Sequence, residues 1–222
     1  MKLAALFSGG KDSVYALFKI MKEHEIKYLA TVHSKNPDSY MYHTANIGLT
    51  VLQSEAMNIQ LVSKESKGEK EKEVEDLKIL LDGLDIEGAV CGAIASNYQK
   101  QRVEEVCKEL NLKLLAPLWG MNQEELLKEI LKNKFDIIIT AVAAEGFDES
   151  WLGRKIDEKC IKDLIELNKK FNVNLCGEGG EFETLTLDCP LFSKKILITE
   201  TEKIWEKNSG MFRVISAKLI TK

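Results

Sequence analysis

The stretch Ser8-Gly9-Gly10-Lys11-Asp12-Ser13 has the residue types of an anion cradle. Gly9 and Gly10 carry no side chains, so a phosphate can approach the main chain closely. Ser8 and Ser13 add hydroxyl donors, and Lys11 adds a cation. Residues 2–7 before it are apolar enough for a buried strand, and Val14, Ala16, Leu17, Phe18, Ile20 and Met21 after it recur at helical spacing. A turn between such a strand and helix aims backbone N–H groups at one spot, where the helix dipole adds positive potential. The spacing is neither that of a Walker A loop nor Gly-x-Gly-x-x-Gly. An ordinary capped helix start, with Ser8 or Asp12 as N-cap, is the plain alternative.

A second stretch has the opposite character: Glu178, Glu181 and Glu183 stand among Gly177, Gly179 and Gly180. Glycine permits unusual backbone angles, and like charges crowded together cost stability unless something offsets them. The stretch therefore reads as a loop for a cation, either magnesium or a cationic substrate, with an exposed turn as the alternative. Glu145, Asp148 and Arg154 in the preceding loop share its mixed character. Ser96, Gln99 and Arg102 follow small residues at the end of an expected strand over 88–92 and form a second edge. Arg102 could hold a phosphate or carboxylate by a two-pronged contact, although plain helix-surface polarity accounts for these residues equally well.

These residues need a frame that brings them together. Expected strands at 28–32, 61–62, 88–92 and 112–115 alternate with helices at 43–57 and 69–82, which makes a parallel α/β sheet. The first of these helices should bury Ile47, Val51 and Leu52, and the second Val74, Leu77, Ile79, Leu80 and Leu81. His43 falls at the start of the first, where a satisfied helix-end histidine is the simpler reading. Asn122 caps the next helix with Glu125 as capping-box partner, residues 136–142 read as a strand and residues 155–171 as a helix. Runs at 195–205 and 212–220 form a hairpin through Asn208-Ser209-Gly210. The division expected is a nucleotide domain over 1–120 and a smaller domain over 121–222, packed closely because no linker composition separates them.

Composition narrows the function classes. Hydrophobic residues make up 45% and charged residues 30% of the 222, an ordinary globular balance. A net charge of -4 gives no support for broad binding to nucleic acid and argues against a tRNA partner, although a local basic face would survive that average. The five cysteines are odd in number and lack a Cys-x-x-Cys pair, so they read as buried reduced thiols rather than a zinc or iron–sulfur site. No long uncharged apolar run suggests a membrane span or a signal peptide, and the cytoplasm is the expected location.

Ser-Gly-Gly-x-Asp-Ser at the end of a first strand resembles the PP-loop of ATP pyrophosphatases, which cleave ATP between the α- and β-phosphates. The resemblance implies a PP-loop fold, of the adenine nucleotide alpha hydrolase-like class; because ligands of an open α/β sheet sit beyond its strand carboxyl ends, backbone near His33 and Ser34 is expected to meet the adenine. Together with Pro117-Leu118-Trp119, Glu145-Gly146 through Leu152-Gly153-Arg154, and residues 177–184, the chain resembles the diphthine–ammonia ligases. That likeness runs in order over nearly the whole chain. It implies ATP and Mg²⁺ as cofactors, and as partners ammonium and translation elongation factor 2 bearing diphthine. It leaves a homodimer open. The implied reaction makes an acyl-adenylate, releases pyrophosphate, and forms the amide as AMP leaves.

The resemblance also assigns roles. Ser8, Gly9, Gly10, Lys11, Asp12 and Ser13 would hold the nucleotide, with Lys11 stabilising phosphate charge and Asp12 either assisting Mg²⁺ or, slightly preferred, capping the helix. Glu178, Glu181 or Glu183 would offset the quaternary ammonium of diphthine or deprotonate ammonium, with Phe182 or Trp151 packing against that cation. Ser96, Gln99, Arg102, Glu145, Arg154, Gly179, Gly180 and Thr184 would complete the substrate side. The competing expectations are another PP-loop enzyme, acting on tRNA or transferring sulfur, and a non-catalytic ATP-sensing module.

Overall fold

In the computed structural model, which describes residues 1–34, 46–67 and 72–222, the chain builds two sheets that share one core. The first is parallel, with strands β1 (Lys2–Leu6), β2 (Glu25–Ser34), β3 (Gln60–Ser66), β4 (Gly88–Val90) and β5 (Lys113–Leu115) in the order β3-β2-β1-β4-β5. Helices α1 (Lys11–Ile20), α2 (Thr50–Met57), α3 (Lys72–Leu81) and α4 (Asn97–Glu109) connect them. Strand alternation sends Ala4, Ala30, Val32 and Ala89 into one apolar cluster with Leu77, Leu81, Val103 and Val106 of α3 and α4. Leu3, Ala5, Leu29 and Val90 enter the other cluster, with Val14, Leu17, Ala56 and Met57 of α1 and α2. Helices therefore cover both faces, as the near-continuous apolar strands require. The chain leaves β1 toward β2 on one side and reaches β4 on the other. A crevice opens where the strand order reverses, beyond the carboxyl ends of β1 and β4.

The second sheet is antiparallel, in the order β7-β6-β9-β8. It comprises β6 (Asp136–Val142), β7 (Phe182–Asp188), β8 (Lys194–Glu206) and β9 (Ser209–Thr221), backed by α5 (Gln123–Lys132) and α6 (Glu158–Phe171). Leu126, Ile130, Ile137, Ile139, Ile161 and Leu164 continue the cluster that holds Leu3 and Val14. That continuity replaces a linker. Asn122 caps α5, its Oδ1 accepting the Glu125 N–H at 3.1 Å. No helix among the described residues is long and apolar enough to cross a membrane, and all five cysteines are free and buried.

Several elements differ from their expected bounds. β2 runs on to Ser34 because β3 is longer than Leu61-Val62 and pairs His33 with Glu65 and Ser34 with Ser66. α2 begins at Thr50 after a 3-10 turn (Ile47–Leu49), and His43 lies outside the described residues. Val51 is 48% exposed, since α2 turns Thr50, Gln53, Ala56 and Met57 inward instead. Ile79 is 52% exposed, on the far side of α3 from Leu77 and Leu81. α6 starts at Glu158, where Asp157 takes the Cys160 N–H as N-cap. The hairpin turns at Lys207 and Asn208, so Ser209 and Gly210 belong to β9.

Candidate active site

The crevice is a cavity of about 980 Å³ walled by both sheets. At its floor, Gly9 takes a φ of 78°, in the left-handed region, and a side chain there would run into the Gln53 amide. The Gly9 carbonyl accepts from the Thr186 N–H at 3.0 Å and from Gln53 Nε2 at 2.9 Å. Ser8 and Ser13 hydroxyls stand 3.2 Å apart, and Ser13 Oγ donates to the Gly10 carbonyl at 3.1 Å. The N-cap of α1 is Gly10, which has no side chain to cap with. Neither Ser8 nor Asp12 takes that place; the Lys11 N–H is accepted at 3.0 Å by Thr184 Oγ1, 173 residues along the chain. Thr184, expected to touch substrate, lines the cavity and also finishes the helix start.

Lys11 is only 2% exposed. Its ammonium donates to Asp12 Oδ2 at 2.8 Å and to the Cys176 carbonyl, and lies 5.3 Å from the Phe182 ring centroid. Burial pulls its pKa down, but the carboxylates of Asp12 and Glu178 outweigh that and hold it above the usual lysine value. Lys11 borders the cavity, yet its charge joins the phosphate loop to the glutamate loop rather than standing free for phosphate. The other Asp12 oxygen, Oδ1, is buried without a hydrogen-bond partner. Burial also pushes the Cys176 thiol up to about 12, keeping it protonated.

The glutamate loop resolves its crowded charge largely with backbone amides. Glu178 accepts from the N–H groups of Ile94 and Ala95, each at 2.6 Å, with one oxygen apiece. Glu181 accepts from Asn174 N–H at 3.1 Å and Gly179 N–H at 2.8 Å. Gly177 and Gly180 supply the positive φ angles, 74° and 86°, that let the loop fold back on these carboxylates. Glu178 thus clamps the loop to the end of β4, and Glu181 shapes it from within. These geometries differ from the expected direct roles of both glutamates toward a cation. Gly179, Gly180 and Glu183 line the cavity, Glu183 beside Thr184 on β7.

The outer residues divide. Ser96 caps α4, accepting from Gln99 N–H at 3.4 Å, and both residues line the cavity. Arg102 does not line it; its guanidinium lies 3.8 Å from the Tyr98 ring centroid. Arg154 pairs with Asp163 and stacks 4.4 Å from the Trp151 ring centroid, away from the cavity. Glu145 borders a separate cavity of about 500 Å³. Trp151 is buried in edge contact with Phe147, ring centroids 5.0 Å apart, and Phe182 faces Lys11, so neither ring is left for a substrate cation. His33 and Ser34 are held in the ladder with β3, and the cavity reaches β2 only through Ala30 and Val32.

Residues 1–114 match the family model of the diphthamide synthase N-terminal domain, and residues 122–220 match that of the C-terminal domain. The chain belongs to the diphthamide synthase family. It is similar to the diphthine–ammonia ligase of Rattus norvegicus, 43% identical over 228 residues that cover 92% of this chain and 85% of that protein. The Homo sapiens diphthine–ammonia ligase is likewise 43% identical over 228 residues, with the same 92% and 85% coverage. That of Schizosaccharomyces pombe is 37% identical over 243 residues, all of this chain and 40% of the longer protein. A solved structure titled a predicted subunit of tRNA methyltransferase from Methanocaldococcus jannaschii overlays with a TM-score of 0.46 and 15% identity. It covers 86% of this chain and 98% of that one, a likeness too slight to bear on the site.

Two parts of this diphthamide synthase cavity escape a reading of the sequence. Gln53 is fully buried and ties the phosphate loop to β7 through Gly9 and Thr186 carbonyls, the latter at 2.8 Å. Its place on the same helix face as small Thr50 and Ala56 is the one local signal of that burial. The tip of the β8–β9 hairpin supplies a wall through Ile204, Glu206, Ser209 and Met211, which nothing local foretells. A nucleoside triphosphate suits the cavity, with phosphates over Ser8, Gly10 and Ser13 and the base toward apolar Ala30, Val32 and Leu77. Magnesium also suits it. No group of three ligating side chains exists among the described residues, but Mg²⁺ in phosphate sites needs only one or two carboxylates, and Asp12 Oδ1 is an unpartnered one.

Proposed function

We propose that this chain is an ATP-dependent diphthine–ammonia ligase, converting the diphthine carboxylate of translation elongation factor 2 into an amide. The observation that carries this reading is the shared cavity. A phosphate loop and a glycine–glutamate loop meet in it, tied by Thr184 to Lys11, Lys11 to Cys176, and Glu178 to Ile94 and Ala95. On this reading residues 1–120 bind the nucleotide and residues 121–222 bring the acceptor to it.

A carboxylate resists ammonia because its charge repels nucleophiles and oxide is a very poor leaving group. Attack of the carboxylate oxygen on the α-phosphorus of ATP breaks the α–β bridge, giving an acyl-adenylate and pyrophosphate. Ammonia then attacks the acyl carbon, and AMP departs with the bonding pair. The N–H groups of the Gly9–Gly10 turn and the Ser8 and Ser13 hydroxyls would stabilise charge on the phosphates. Asp12 Oδ1 would hold magnesium, which when bound supplies charge neutralisation between phosphate oxygens. Lys11 acts at one remove, keeping the two loops in register. Glu183, which borders the cavity, would take the proton from ammonium, with Gly179 and Gly180 leaving room for the acceptor. Ser96 and Gln99 complete the rim at the start of α4. A translation factor as substrate puts the enzyme in the cytoplasm.

The test is product analysis of purified protein with ATP, Mg²⁺ and ammonium, with and without diphthine-bearing elongation factor 2. AMP, pyrophosphate and amide appearing only with the factor is the expected result. AMP produced with tRNA instead, or ATP that stays intact throughout, would overturn it.

A further inference from the structure

The ligase reading leaves one feature of its substrate unaccounted for, the quaternary ammonium that diphthine carries on the same side chain as its carboxylate. Among the described residues, the carboxylates bordering the cavity are Asp12, Glu178, Glu183 and Glu206. Asp12 holds Lys11, and Glu178 spends both oxygens on backbone amides. Glu183 stands on the phosphate-loop side, next to the Thr184 that finishes α1. Glu206 lies on the same sheet but on its other edge strand, β8, at the tip of the hairpin, with β6 and β9 between it and the β7 that carries Glu183.

The hairpin register decides what accompanies it. Ile204 pairs with Met211, Trp205 with Gly210 and Glu206 with Ser209. Side chains directly across a ladder share a face, and those two residues apart along a strand do too. Ile204, Met211, Glu206 and Ser209 therefore form one face, and all four line the cavity. Trp205 projects from the other face and borders the smaller cavity instead. Ile204 and Met211 are half-buried, whereas Glu206 is exposed, and its carboxylate makes no hydrogen bond or ion pair among the described residues.

We infer that this face of the β8–β9 tip is the receptor for the substrate's quaternary ammonium, a deeper reading that rests on the ligase assignment above. Such a cation has a fixed charge, an apolar methyl surface and no N–H to donate. It calls for aliphatic or thioether surface with a carboxylate nearby, not for a ring of hydrogen-bond acceptors. Ile204 and Met211 supply the surface and Glu206 the charge. An ammonium ion, with four N–H donors, gains little from that surface, so the wall separates the acceptor's cation from the nucleophile's.

Two readouts test this on the full chain. The methyl signal of Met211, in protein labelled at methionine methyls, should shift on titration with tetramethylammonium chloride but not with sodium chloride at equal ionic strength. Glu206→Gln should weaken that response, and Glu206→Asp should restore part of it. In the amidation assay Glu206→Gln should raise KM for the diphthine-bearing factor about 10-fold while KM for ATP stays unchanged. An unmoved Met211 signal, or a KM for ATP that rises in step with that for the factor, overturns the inference. If the wild-type protein forms no amide while Met211 still answers tetramethylammonium through Glu206, the ligase reading falls and the cation wall stands.

Discussion

Replacing Glu178 by glutamine separates a clamp from a catalyst. The carboxylate now takes two N–H donors at 2.6 Å, from Ile94 and Ala95. Glutamine keeps one acceptor oxygen and turns its NH₂ toward the other N–H, so one charge-assisted bond is lost and a donor faces a donor. Hydrogen bonds to charged groups contribute about 1.5–3 kcal/mol each. Ala95 is exposed, so water can rescue its N–H and the lower end applies, about 1.5–2 kcal/mol. In a chain of this length each kcal/mol moves the melting midpoint by about 2–4 °C, so the expected fall is about 3–8 °C. Thermal unfolding followed by circular dichroism gives the midpoint, and calorimetric titration gives ATP affinity, which should weaken because the glutamate loop and the end of β4 no longer close on the cavity together. A midpoint and an ATP affinity that both stay at wild-type values while amidation disappears would refute the clamp. Glu178 would then act on the substrate itself.

The remaining expectations concern the phosphate loop. Gly9→Ala places a Cβ at a φ of 78° and against Gln53, and should lower ATP affinity by more than about 10-fold in the same titration, a left-handed alanine alone costing about 1–2 kcal/mol. Undiminished affinity would remove the loop from the nucleotide site. Lys11→Met leaves Asp12 without its counter-ion and should destabilise the protein by about 3 kcal/mol in urea unfolding at neutral pH, toward the low end for a broken buried pair because Asp12 is partly exposed. The folded-state pKa of Lys11 lies above its ordinary 10.5, so its stabilisation is fully present below that value and fades as pH rises through the folded pKa. The difference between wild type and Lys11→Met should therefore hold from neutral pH to about pH 10 and shrink at higher pH. A gap that closes between pH 6 and 8, about two units or more below that onset, would mean that another group carries the effect.

What could be read from the chain alone was what short stretches decide. An apolar run, two glycines and a helical period made the first strand, the turn and α1 legible, because each depends on neighbours within a few residues. The parallel sheet followed from strands alternating with helices, and the β8–β9 hairpin from two extended runs around a turn. The family likeness was legible for the same reason, since its motifs are contiguous. The partner of each charge was not. Lys11 meets Cys176 across 165 residues and Thr184 across 173, and Glu178 meets Ile94 and Ala95 across 84 and 83. Residue type fixes what a side chain can donate or accept, but only the packing of the second sheet against the first determines which groups stand within 3 Å of it. Lys11 and Glu178, chosen from sequence as groups for ligand, thus became the ties that hold the cavity together. Glu206, inconspicuous among the charges of a hairpin, came to face the cavity because the ladder register turned it there.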